Sequence, residues 1–343
     1  MAGYGLLFPL VSNLFILLWG LLAGLKVLWA IIKHPVESFK KTARDTVPPC
    51  LQDPALGEHE FVRANGIKFH CVRSGDKSKP LMLLLHGFPE FWYSWRFQIP
   101  AFNKHFHVVA VDLRGYGETD RPPNKLDYTL AKLREDIAEL ISALGYSKCV
   151  LVGHDWGGAI AWSVAHKYPD AIERLVVLNC PHSKIMVQTL TSTWAQFMKS
   201  WYMFMFQIPM LPEFIFRMRD YNYFNAIFRS RKAGVQHREH FTPETVEVFK
   251  YVFSRPGALT PPLNYIRCIF NRDHTKDTPK SPITTPTLLI WGDKDAFLES
   301  SMAERHSTLV THLTVKHLAD CSHWVQQDDP DKVNELMAEF LKQ

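Results

Sequence analysis

Asp155 stands at the tip of Gly153-His154-Asp155-Trp156-Gly157-Gly158, between the apolar run Cys149-Val150-Leu151-Val152 and a helix read as starting at Ala159-Ile160-Ala161. Small residues around one reactive side chain describe a strand, a sharp turn and a helix that raise that side chain at the turn. A carboxylate there forms an alkyl ester by displacement at saturated carbon, whereas a serine would form an acyl ester at a carbonyl. The chemistry indicated is epoxide opening or halide expulsion. A helix N-terminus behind Asp155 favours its ionised, nucleophilic form.

Three further segments complete that chemistry. His86-Gly87-Phe88-Pro89 follows the apolar strand Leu81–Leu85. The backbone N–H of Phe88, with that of Trp156, can stabilise the oxyanion formed when water attacks an ester. His323, past the last expected strand and before the last helix, occupies the position of a general base. Trp291-Gly292-Asp293-Lys294-Asp295 supplies a carboxylate to orient that imidazole. Asp295 is favoured for this role and Asp293 is the competitor. Whichever is not used reads as a turn aspartate.

The elements that must hold these residues are legible as hydrophobic pattern. Phe61–Ala64 and Ile67–Val72 alternate around Asn65-Gly66, a strong hairpin signal. Short apolar runs recur at 81–85, 108–111, 149–152, 175–178, 288–291 and 313–315. Being apolar on both faces, they suit a parallel sheet covered by helices, a doubly wound α/β domain. Thr129 is placed to cap a helix burying Leu130, Leu133, Ile137, Leu140, Ile141 and Leu144, with Gly145 ending it. Pro330 opens a last helix burying Val333, Leu336, Met337, Phe340 and Leu341. Between Pro181 and about Pro282 the alternation stops. That stretch is rich in Met, Phe, Trp and Tyr and reads as a helical insertion over the strand ends, roofing an apolar pocket.

The N-terminus is of another kind. Gly5 to Ile32 carries one charge, Lys26, and exceeds the roughly 20 apolar residues a membrane span needs. A cleaved signal peptide has an apolar region of about 7–15 residues ending at small side chains, so an uncleaved anchor is expected. Lys33, Lys40, Lys41 and Arg44 follow it, which places the C-terminal bulk in the cytosol. The expected division is an anchor over 1–34, a linker over 35–58, a core over 59–181 and 283–343, and a lid over 182–282. The net charge of +5 is small and its basic residues are dispersed, giving no footprint for nucleic acid. The six cysteines form no CxxC pair and read as free thiols. Oligomeric state is not legible.

These motifs together resemble the epoxide hydrolases of the α/β-hydrolase fold, and most nearly the membrane-anchored types 3 and 4. Glu90-Phe91-Trp92-Tyr93-Ser94-Trp95-Arg96 after the His-Gly-Phe-Pro turn, and Asp112-Leu113-Arg114-Gly115-Tyr116-Gly117, carry part of that likeness. The resemblance implies a mostly parallel sheet with a helical lid, preceded by a membrane helix in the endoplasmic reticulum (microsomal) membrane. It implies conversion of hydrophobic epoxides, fatty-acid epoxides among them, to vicinal diols. Asp155 forms a hydroxyalkyl ester, and water activated by His323 with Asp295 hydrolyses it, without metal or organic cofactor. It also implies two lid tyrosines that donate to the epoxide oxygen. Tyr202 fits the first. The second falls on Ile266, with Tyr265 one place earlier and about 100° round a helix. Tyr265, a different tyrosine, or a single donor remain open. A dehalogenase sharing the aspartate nucleophile, and a weakly active membrane-tethered lipid-binding protein, are the alternative readings.

Overall fold

The computed structural model describes residues 4–269 and 282–342. Residues 270–281, within the expected lid, and residues 1–3 and 343 lie outside the described residues.

Eight strands form one sheet in the order β1-β2-β4-β3-β5-β6-β7-β8. β1 (Glu58–Ala64) and β2 (Ile67–Ser74) make the expected hairpin. Asn65 and Gly66, both with positive φ, supply the turn whose twist matches paired strands. β1 pairs with β2, and β2 with β4 (His107–Val111), antiparallel. β3 (Leu81–Leu85), β5 (Cys149–His154), β6 (Ile172–Leu178), β7 (Thr287–Gly292) and β8 (Leu313–Leu318) complete the parallel part. Every residue of β3, β4, β5 and β7 is buried, as strands covered on both faces require.

β8 departs from the expectation of two apolar faces. Among the described residues it pairs only with β7, and its Lys316 and His317 are exposed. Polar side chains at a sheet edge discourage pairing with another chain.

The helix Leu130–Ala143 buries Leu133, Ile137, Leu140 and Ile141 of the expected stripe, leaves Leu130 and Leu144 partly buried, and ends as read. Gly145 (φ 92°) donates to the Ser142 carbonyl and Tyr146 to that of Ile141, closing a Schellman turn. Thr129 sits at the cap position, but its side chain makes no capping bond. The last helix, Pro330–Leu341, is capped instead by the Asp329 side chain on the Lys332 N–H.

β3→β4 and β5→β6 build outward in opposite directions, so the strand order reverses between β3 and β5. Ligands of open α/β sheets bind at the carboxyl ends of strands at such a reversal. The segments after β3 and β5 carry Phe88 and Asp155.

From Ser183 to Cys268 the chain is helical, with no strand among the described residues. These helices lie over the sheet's carboxyl end. Their aromatic side chains pack on one another, stacked in Phe228–Phe241 at 4.6 Å between centroids and tilted in Phe206–Phe216 at 6.1 Å. Tyr4–Lys33 is one helix, and Val11–Lys33 within it is long and apolar enough to cross a membrane. The following segment is not purely irregular: it forms short helical turns at Pro35–Ser38 and Pro49–Gln52. All six cysteines are free.

Candidate active site

Asp155 has φ 49° and ψ −117°, a conformation that costs a non-glycine residue about 1–3 kcal/mol and occurs where structure overrides it. The surroundings here do so. A Cβ on Gly157 would lie 2.1 Å from the Leu85 carbonyl oxygen, and one on Gly153 would lie 2.4 Å from that of Gly157. The two glycines therefore let the turn fold tightly against β3. The helix starts at Trp156, earlier than Ala159, so Asp155 stands directly before its first N–H groups.

One carboxylate oxygen of Asp155, Oδ1, accepts the Phe88 N–H at 2.9 Å. The other, Oδ2, lies 3.5 Å from His323 Nε2. His323 Nδ1 meets Asp295 Oδ2 at 2.7 Å. Asp295 Oδ2 also accepts the Asn179 amide at 2.8 Å, and Asp295 Oδ1 accepts the N–H groups of Phe297 at 2.7 Å and Leu298 at 2.9 Å. Of the two competing aspartates, Asp295 is thus the one beside His323. Asp293 bonds His317 at the exposed β8 edge at 2.6 Å.

Electrostatics follow from this arrangement. Burial works to raise the Asp155 carboxyl, but the bond and charge of His323, His154 and the Phe88 N–H together hold it below its ordinary value. Asp295 is likewise held low, against burial, by His323 and Asn179. Burial opposes the charged form of His323, yet the two carboxylates push its pKa up to about 10. At neutral pH the resting site is therefore an imidazolium between two carboxylates.

Behind the three residues lies a third carboxylate, fully buried. Glu90 accepts from the Gly87 N–H at 2.9 Å and from the side-chain amides of Gln326 at 3.1 Å and Gln327 at 2.8 Å. It also meets His154 Nδ1 at 2.6 Å, and His154 Nε2 reaches the His323 carbonyl at 2.8 Å. Glu90 thereby ties the Phe88 loop, the Asp155 turn and the His323 segment into one unit.

Two cavities flank Asp155. One, of about 50 Å³, is lined by Phe88, Trp201, Tyr202, Tyr223, Phe297 and His323 among others. The other, of about 160 Å³, extends under Leu130, Met186, Leu190 and Met203. Asp155, Trp156, Tyr202, Ile266 and Leu298 line both. Apart from the phenols, the reactive groups, Cys180 and Ser183, the space is apolar.

Tyr202 lies where the sequence placed it. Tyr265 does not line either cavity: its hydroxyl donates to the Arg114 carbonyl at 2.7 Å and its ring packs edge-on against Trp156 at 5.5 Å. The helix rotation accounts for this correction, turning Ile266 into the cavity and Tyr265 out of it. Tyr223, which the sequence did not single out, lines the cavity with Tyr202. Neither hydroxyl has a hydrogen-bond partner among the described residues. Burial raises both phenols, and the Asp155 charge adds to the effect on Tyr202, so both stay protonated donors. Trp156, whose N–H is at the open end of its helix, lines the same space. Among the described residues no cluster of His, Cys, Asp and Glu could hold a metal ion.

A nucleophile turn at the strand-order reversal, an imidazole–carboxylate pair beside it and a helical roof define a hydrolase of the α/β-hydrolase fold. That family's sequence profile matches residues 80–330, and the chain belongs to it. Within that fold the chain belongs to the epoxide hydrolases. It is 47% identical to Epoxide hydrolase 4 of Homo sapiens, over 93% of this chain and 88% of that protein. It is 42% identical to Epoxide hydrolase 3 of Xenopus tropicalis, over 91% of this chain and 86% of that one. The crystal structure of the Bacillus megaterium epoxide hydrolase in complex with an inhibitor superposes with a TM-score of 0.76 at 31% identity, covering 83% of this chain and all of that one.

Proposed function

We propose that this enzyme opens hydrophobic epoxides to vicinal diols through an ester on Asp155. The observation that carries the reading is one cavity-lining carboxylate with two differently engaged oxygens: Oδ1 on the Phe88 N–H and Oδ2 beside His323. Oδ2 attacks an epoxide carbon and the C–O bond of the ring breaks. Tyr202 and Tyr223 donate to the departing oxygen, and one phenol gives it the proton that makes it the neighbouring hydroxyl, the His323 imidazolium then returning a proton to that phenolate. Oδ1 becomes the ester carbonyl oxygen, already seated on a donor.

Alkylation removes the Asp155 charge, and with it part of what raises His323. The imidazole then loses its proton more readily and becomes a base. With Nδ1 held by Asp295, its Nε2 takes a proton from water as that water attacks the ester carbon. The Phe88 and Trp156 N–H groups stabilise the oxyanion, each such donor contributing about 3 kcal/mol in comparable sites. Collapse releases the diol and restores Asp155.

The two cavities either side of Asp155 suit an epoxide carrying two alkyl arms, as in a lipid chain. The helices over 183–268 serve as the lid, within the proposed division of anchor, linker, core and lid. The N-terminal helix holds the protein at the endoplasmic reticulum membrane, with its lid-free face in lipid and the sheet domain on the cytosolic side. The test is product analysis with a panel of lipid epoxides. Diol from the native protein and none from Asp155→Ala supports the reading. Halide release from chloroalkanes without diol would support a dehalogenase, and ligand binding without any turnover would support a binding protein.

A further inference from the structure

The N-terminal helix packs along the lid. Phe15 meets Phe197 at 4.6 Å between ring centroids, and Trp19 meets Trp201 at 5.9 Å. A Cβ on Gly20 would lie 2.8 Å from Ile208, so glycine permits the approach. The opposite side of the helix is apolar and exposed, Leu14, Leu17 and Leu21 each by more than 60%. On the lid beside it, Trp194, Met198 and Met210 are also exposed. A surface of this kind faces lipid more readily than water.

Between helix and lid lies a cavity of about 890 Å³, well within the size of ligand sites. Its walls are mainly apolar. Trp201 and Tyr223 line both this cavity and the one over Asp155, so the two are separated by those side chains. Its cationic side chains are Lys26 and Arg219, and neither has an ion-pair partner among the described residues. Lys26 precedes Lys33 by seven residues, about 10 Å of helix, inside the apolar stretch. An ionisable group at that depth is costly unless something there engages it.

Arg219 is exposed, on a turn whose backbone is fixed. Arg219, Asp220 and Tyr221 are all left-handed, at φ 52°, 54° and 59°. The chain after the membrane helix fixes that turn. The Lys40 carbonyl accepts the Asp220 N–H at 3.1 Å, and the Asp220 carboxylate accepts Arg44 at 2.7 and 2.8 Å and Thr42 at 2.9 Å.

We infer that this cavity is the entrance through which a long-chain amphiphilic carboxylate reaches the enzyme from a lipid leaflet. Its carboxylate is held by Lys26 and Arg219, and its chain passes between Trp201 and Tyr223 to bring an epoxide onto Asp155. Charge complementarity selects an anionic head, the apolar walls a long chain, and the shared wall a path to the nucleophile. The inference rests on the epoxide-hydrolase reading for what happens at the end of that path.

The experiment uses the full chain in phosphatidylcholine nanodiscs, with oleate as a non-reacting probe and a long-chain epoxy acid and its methyl ester as reacting ones. Oleate is expected to bind more tightly than methyl oleate. In Lys26→Gln/Arg219→Gln the oleate dissociation constant should rise about tenfold, and the acid-to-ester ratio of kcat/KM should fall towards one. Lys26→Arg/Arg219→Lys, which keeps both charges, should retain oleate. An unchanged oleate affinity and acid-to-ester ratio in the double glutamine variant overturns the inference. So does an effect of those substitutions confined to association with phosphatidylserine discs, which would assign the cations to a phospholipid headgroup. Because oleate binding needs no turnover, cation-dependent binding without diol formation from any epoxide would retire the catalytic reading alone. Diol formation with cation-independent binding would retire this inference alone.

Discussion

Replacing Asp295 by Asn separates the two proposed chemical steps, and the structure dictates how. Asp295 Oδ1 accepts two backbone N–H groups, from Phe297 and Leu298. The amide oxygen of an Asn must occupy that side, because its NH2 would leave both donors unmatched. The NH2 then faces His323 Nδ1 and the Asn179 amide. Asn179 cannot turn to help, since its own oxygen accepts the Gly292 N–H at 2.8 Å. His323 is driven to the tautomer with Nδ1 bare and Nε2 protonated, which cannot take a proton from water. The imidazolium also loses a fully buried counter-charge. The same tautomer error in a serine-protease triad lowers kcat about 10⁴-fold, about 5.4 kcal/mol at 1.36 kcal/mol per tenfold. Hydrolysis of the ester should therefore fall by about that factor, while alkylation, which needs only Asp155 and the phenols, falls far less. Intact-protein mass spectrometry after mixing with excess epoxide should show one adduct per chain, mapped to the Asp155 peptide, with negligible steady-state diol. Turnover within tenfold of the native enzyme, or no adduct while diol formation stops, would refute the reasoning.

Removing the phenols should act on the other step. Tyr202→Phe and Tyr223→Phe each lose one hydrogen bond to a developing alkoxide, about 1.5–3 kcal/mol for a charged partner, so single-turnover alkylation should slow about 10- to 100-fold in each. A double variant alkylated at the native rate would remove both residues from the mechanism. A third prediction concerns stability away from the site. Burial disfavours the charged form of His70, but Asp112, at 2.7 Å, holds its pKa above the ordinary 6.5. That contribution is complete below about pH 6.5 and is lost as pH rises through the folded-state value. The melting-temperature gap between native protein and His70→Asn should therefore shrink from pH 6 to pH 9, and a gap that widens over that interval would contradict the assignment.

The sheet and the reactive turn were legible because their signals are local. The hairpin was announced by Asn65-Gly66, and the Asp155 turn by glycines whose missing side chains the structure needs against β3. The one-residue rotation that sets Tyr265 aside was visible, but the sequence left Tyr265 open as a donor, and only the packing put Ile266 in the cavity. The choice of Asp295 over Asp293 needed only their positions after β7. What stayed hidden depends on distant parts of the chain meeting. Glu90 joins Gln327 across 237 positions, and Asn179 joins Asp295 across 116. Tyr223 is one of many lid aromatics, and only the packing of the lid aims it at the cavity. β8 misled because an apolar run of three residues does not reveal that its strand is an edge.

A single turnover in ¹⁸O-labelled water tests the ester most directly. With enzyme in excess over epoxide, the oxygen added to substrate should come from the Asp155 carboxylate, leaving the diol unlabelled and the label in the Asp155 peptide. Label in the first-turnover diol, with none in that peptide, would mean that water attacks the epoxide itself and would contradict the account.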